Sequence, residues 1–215
     1  MLSRSARRVG AGAVAVVAAM ALTAVPAEAT PLGQTSLGSV DVTRAGRPVT
    51  VPPIAPCDVT ADQQNTSKGT RAAGVATFGA GNTTCTKDAG AKTAKMQATG
   101  DSFDLTALTP YGGPEIKLAS YAASCAATTT STTANFQFSG LQGVDAPKPI
   151  PANYTTTVGP ADNPQARITF NEVIQAEPND GSVTINMLHI VLFPNGGGPM
   201  SGDVIVGHAA CSPTS

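Results

Sequence analysis

The chain has 215 residues, of which only 13% are charged and 4% aromatic, with two histidines and no tryptophan. Thirteen basic residues against fourteen acidic ones give a formal net charge of −1, so there is no basic excess to select nucleic acid or an anionic membrane. So small a stock of titratable side chains also argues against a catalytic cleft, where acids and bases must converge.

The chain opens with Arg4, Arg7 and Arg8, followed by an apolar segment from Val9 to Val25 and then Ala27-Glu28-Ala29. A basic start, a short apolar middle and a small-x-small end are what the export machinery reads, so residues 1–29 are expected to be a signal peptide. Pro26 and the cleavage pattern argue against a membrane anchor. Cleavage would leave 186 residues with ten basic against thirteen acidic, a formal net charge of −3. No later apolar run reaches membrane-spanning length. The expected product is secreted or held to the envelope by non-covalent contact, with an envelope or extracellular partner that the sequence does not name.

Cys57, Cys85, Cys125 and Cys211 all follow the cleavage site. An even count in an exported chain implies two disulfides with three possible connectivities. Cys57–Cys85 with Cys125–Cys211 is favoured, because each bridge would then staple one half of the chain. No pair has the C-x-x-C spacing of a zinc site.

Residues 30–56 carry Pro48, Pro52, Pro53 and Pro56 and few bulky side chains, which predicts an extended lead-in with an edge strand around Val49–Val51. Strands are expected at Ala73–Phe78, within Met96–Leu108 and over Glu115–Cys125, with a loop at Thr109–Pro114. Residues 126–133 are nearly all Ala, Thr and Ser and suit a surface connection. Asn135–Phe138 alternates, and five prolines between Ala146 and Pro164 predict a long loop or an edge excursion.

From Ala166 to Cys211 three β-branched runs are separated by Asp-Gly and Asn-Gly turn signals, which describes an antiparallel meander. In the middle run Val183, Ile185, Met187, Val191 and Phe193 are expected on one face, interrupted by His189. Leu188, Ile190 and Leu192 make the other face apolar toward the end of the run, as suits the centre of a packed sheet. Many short strands and turns, with no sustained helical period, predict an all-β antiparallel β-sandwich over residues 57–215.

Ser-Tyr-Ala-Ala-Ser-Cys (120–125), Phe-Ser-Gly-Leu-Gln-Gly-Val (138–144), Ile-Thr-Phe-Asn-Glu (168–172), Gly-Ser-Val-Thr-Ile-Asn-Met-Leu-His-Ile (181–190) and Gly-Asp-Val-Ile-Val-Gly-His-Ala-Ala-Cys (202–211) occur in that order. This half of the chain resembles the exported actinobacterial proteins called choice-of-anchor P. The resemblance implies an all-β surface or secreted domain with no assigned activity and no catalytic residues to carry over. Unlike anchored members, this sequence carries no recognisable terminal anchor.

Neither Gly198-Pro199-Met200-Ser201-Gly202 nor Gly196-Gly197-Gly198 has the spacing of a nucleophile elbow or a phosphate loop. Closing the last hairpin between Phe193 and Gly202 would put His189 opposite Val206 and His208 opposite Met187, diagonal neighbours on one face. Two imidazoles could begin a metal site with Glu172 as a third ligand. A pair of core-edge histidines satisfied by local hydrogen bonds is the preferred reading, since a one-residue slip separates them. The expectation is therefore a non-catalytic interaction or surface-structural module with no catalytic residue, no cofactor and no metal. The alternative is an exported hydrolase or metal-dependent enzyme using His189 and His208.

Overall fold

A computed structural model describes residues 33–61, 63–88 and 90–213, so the segment expected to be a signal peptide lies outside the described residues. Its strands are β1 (Gly33–Arg44), β2 (Arg47–Val51), β3 (Cys57–Asp58), β4 (Gln64–Ser67), β5 (Thr70–Ala72), β6 (Ala76–Phe78), β7 (Gly81–Asp88) and β8 (Thr93–Gly100). These are followed by β9 (Phe103–Leu105), β10 (Ile116–Leu118), β11 (Ser120–Ala127), β12 (Thr132–Ser139), β13 (Tyr154–Val158), β14 (Ala166–Gln175), β15 (Val183–Leu192) and β16 (Met200–Cys211). The one helical element described is a short 3-10 turn, Thr109–Tyr111, in the expected loop. No helix among the described residues is long and apolar enough to cross a membrane.

The meander is present as β14, β15 and β16, and the proline-broken excursion contributes β13 at the edge beside β14. The lead-in expectation is corrected: residues 33–51 supply β1 and β2, and the sandwich begins with them. β1 runs between β2 and β16 inside a seven-stranded sheet ordered β13-β14-β15-β16-β1-β2, with β3 also paired to β1. Leu37, Val40 and Val42 are the only large apolar residues of β1, so its alternation is too sparse to read as an interior strand. Burial of Thr35, Ser36 and Gly38 by the flanking strands makes up the difference. The edge strand expected around Val49–Val51 is β2, with Pro48 tolerated at the sheet margin.

The second layer is a five-stranded sheet, β12-β11-β8-β7-β4, and a four-stranded one, β10-β9-β6-β5. Their orders correspond strand for strand: β4 leads into β5, β6 into β7, β8 into β9 and β10 into β11. One sheet is thus bent at a single level through Gly69, Gly79–Ala80, Asp101–Ser102 and Ala119, where Gly79 N donates to Ser102 O (2.8 Å) and Asp101 N to Ala80 O (2.8 Å). The expected strands at 96–108 and 115–125 fall on this bend and are broken by it, whereas the one at 73–78 begins in the turn between β5 and β6 and ends, as β6, at the bend.

The seven-stranded sheet bends too. Its ladders skip a pair at Asn171, Met187, Gly207 and Leu37, with Asn171 at φ 50° and Gly207 at φ 64°. Each strand changes there which alternate residues face the core. In β15, Val183, Ile185 and Met187 point inward before the crease and Leu188, Ile190 and Leu192 after it. The single apolar face expected to run from Val183 to Phe193 is therefore two half-faces. Asn and Gly are the residues that tolerate a left-handed backbone. An added Cβ at Gly207 would also lie 3.1 Å from Met187 Cβ and 3.3 Å from Ala123 Cβ. Gly207→Ala is expected to lower unfolding free energy by about 1 kcal/mol. An unchanged urea midpoint would show that the crease does not need glycine.

Both favoured disulfides form, with Cα–Cα separations of 5.9 Å for Cys57–Cys85 and 6.1 Å for Cys125–Cys211. Each closes a loop within one half of the chain and at the same time joins the two layers, β3 to β7 and β16 to β11.

Candidate functional site

The crease brings together the side chains that the sequence singled out. In a regular strand Asn186 and His189, three residues apart, would project to opposite faces. The change of face at Met187 puts both on the outer side of the seven-stranded sheet, where Glu172 of β14 bridges them. Glu172 Oε2 accepts from Asn186 Nδ2 (2.6 Å) and Oε1 lies 2.8 Å from His189 Nδ1. His189 Nε2 is 2.8 Å from Asp203 Oδ1, and His208 Nδ1 is 2.8 Å from Asn186 Oδ1. The result is one polar chain, Asp203–His189–Glu172–Asn186–His208, across β14, β15 and β16.

The hairpin register differs by one residue from the expected one. Leu192 pairs with Gly202, so His189 lies opposite Ile205 and His208 opposite Asn186. The two imidazoles are joined through Glu172 and Asn186 and do not meet. Glu172 does come to His189, but both ring nitrogens of His189 already face carboxylates. Among the described residues no three of His, Cys, Asp and Glu form a group that could hold a metal ion. Asn186 and Asp203 were not legible as participants, because their roles depend on the crease and on the register.

The electrostatics follow from these contacts. The Glu172 hydrogen bond raises His189, and Asp203 adds to this against the opposing effect of burial. Burial pushes Glu172 up, but hydrogen bonds from His189 and Asn186 outweigh it and hold the carboxyl below its ordinary value. The pair is accordingly an ion pair over part of the acidic range, with side chains 23% and 18% exposed. His208 goes the other way, lowered by burial. It lines a cleft of about 220 Å³ with Ser36, Pro53, Pro56, Cys57 and Asp58.

A second surface has a different character. On the outer face of the five-stranded sheet, Thr66, Asn82, Thr99, Ala122 and Gln137 lie in one cross-strand row. Gln64, Thr84, Gln97, Ser124 and Asn135 form the next. Neither row has a charge or an apolar side chain larger than Ala, and a hollow of about 90 Å³ opens among Gln97, Ser124, Asn135 and Gln137.

No protein-family model matches this chain, and no curated protein or solved structure is significantly similar to it.

Proposed function

We propose that this is a secreted or envelope-associated, non-catalytic β-sandwich that holds a neutral polar polymer, a polysaccharide of the cell surface, on its five-stranded face. The observation that carries this reading is the pair of adjacent cross-strand rows, which offer hydroxyls and carboxamides without a charge. Such groups exchange hydrogen bonds with sugar hydroxyls while neither attracting nor repelling ions. Phe136 and Phe138 of the edge strand β12 turn inward to the core, so recognition would rest on hydrogen bonds rather than ring stacking. Two disulfides are in keeping with an oxidising, extracytoplasmic compartment, as the basic and apolar amino terminus implies. The resemblance to choice-of-anchor P proteins points the same way.

The alternative of a hydrolase or metal-dependent enzyme using His189 and His208 needs a free ring nitrogen of each aimed at one point. His189 has none to offer while Glu172 and Asp203 hold it.

Co-sedimentation with insoluble wall polysaccharide tests the proposal. Binding is expected to be insensitive to salt, and Ser124→Arg with Gln97→Glu should reduce it at least about tenfold without lowering Tm. Binding unaffected by those changes, or absent from every neutral polysaccharide tried, would refute it.

A further inference from the structure

His208 sits opposite Ser36 in the β1–β16 ladder, so both side chains leave the sheet on one face and enter the same cleft. The polar chain behind His208 dictates how its ring is protonated. A carboxylate only accepts hydrogen bonds, so Glu172 Oε2 takes an N–H from Asn186 and turns the amide oxygen toward His208. An amide oxygen also only accepts, so the hydrogen shared by Asn186 Oδ1 and His208 Nδ1 belongs to the imidazole. A neutral ring protonated at Nδ1 presents a lone pair at Nε2. Among the described residues neither Nε2 of His208 nor the hydroxyl of Ser36 has a hydrogen-bond partner, and Ser36 is only 4% exposed.

The rest of the cleft restricts what could use these groups. Pro53 and Pro56 give it apolar walls beside the polar Gln34 and Thr35, and apolar walls oppose stripping water from an ion. Asp58 stands at the cleft with Oδ1 already accepting from Thr60 N (2.7 Å) and Thr60 Oγ1 (2.6 Å), and its charge repels anions. A volume of about 220 Å³ accommodates a single ring with substituents and not a polymer.

We propose that this cleft is a binding site for a small uncharged molecule with a flat apolar face and a hydroxyl, which donates to His208 Nε2 and accepts from Ser36. The site is separate from the five-stranded face and does not depend on what that face binds.

Histidine ring-nitrogen NMR on the purified protein, titrated with 4-methylphenol, tests it. Free His208 is expected as the Nδ1-protonated tautomer, with a saturable perturbation of Nε2 on titration. 4-Methylanisole, which keeps the ring but lacks the donor, should bind at least about tenfold more weakly. His208→Phe should erase that difference, and Ser36→Ala should weaken 4-methylphenol binding. If His208→Phe fails to fold, the tautomer and the ligand pair on the unaltered protein still decide. An Nε2-protonated tautomer, equal affinity for the two ligands, or no saturable response to 4-methylphenol would overturn the proposal.

Discussion

Replacing Cys125 and Cys211 together by alanine is expected to lower the free energy of unfolding by about 4–5 kcal/mol. The bridge closes a loop spanning 86 residues, and the chain-entropy cost it removes from the unfolded state grows with the logarithm of that span. Both cysteines are buried and join β11 to β16 across the two layers, so the lost sulfurs also leave unfilled space in the core. The Cys57–Cys85 bridge spans only 28 residues, and its removal should cost about 3–4 kcal/mol. Against a typical domain stability of about 5–15 kcal/mol, either loss is large and both together should unfold the protein. Denaturant unfolding of the two double variants measures the order, and losses below about 1 kcal/mol would contradict it. Thiol titration of the denatured, unreduced parent should find no free thiol, and a count near four would refute the pairing.

Glu172→Gln should cost about 2–3 kcal/mol, with a pH dependence that identifies its cause. Glu172 lies below its ordinary value of 4.5, so its stabilisation is present above that pH and lost as pH falls through the folded value. His189 lies above its ordinary value of 6.5, so its stabilisation is complete below that pH and lost as pH rises through the folded value. The difference between parent and variant should therefore be greatest between about pH 4.5 and 6.5 and shrink on both sides. His208 contributes the opposite sign: its value is depressed, so protonation of the unfolded chain below pH 6.5 favours unfolding. Its burial is common to parent and variant, and the subtraction removes it. Thermal or urea unfolding at several pH values supplies the curve. A difference independent of pH would mean that Glu172 acts through packing and not through its charge.

The candidate site and the fold were legible to different depths. His189, His208 and Glu172 stand out in the sequence because imidazoles and carboxylates are scarce in it. Their connection does not, because it runs through Asn186 and depends on the crease at Met187 and a hairpin that closes at Leu192 and Gly202. One residue of register exchanges every cross-strand neighbour, and the turn signals between Phe193 and Gly202 do not fix at which residue the hairpin closes. The uncharged rows of the five-stranded face were hidden for a related reason. Thr66, Asn82, Thr99, Ala122 and Gln137 are scattered over 72 positions of the chain and become neighbours only through strand order.

By itself, the sequence determined the all-β class, the meander from Ala166 to Cys211 and the presence of paired cysteines. These follow from local chemistry: β-branched runs, Asp-Gly and Asn-Gly turns, and an even cysteine count. Only the tertiary structure decided that β1, poor in large apolar residues, is an interior strand. Only it decided that both layers bend and that the disulfides tie one layer to the other. A strand's place in a sheet is fixed by partners distant in the chain, and burial of Thr35, Ser36 and Gly38 is something β16 and its neighbours impose on β1. Nothing within Gly33–Arg44 encodes it.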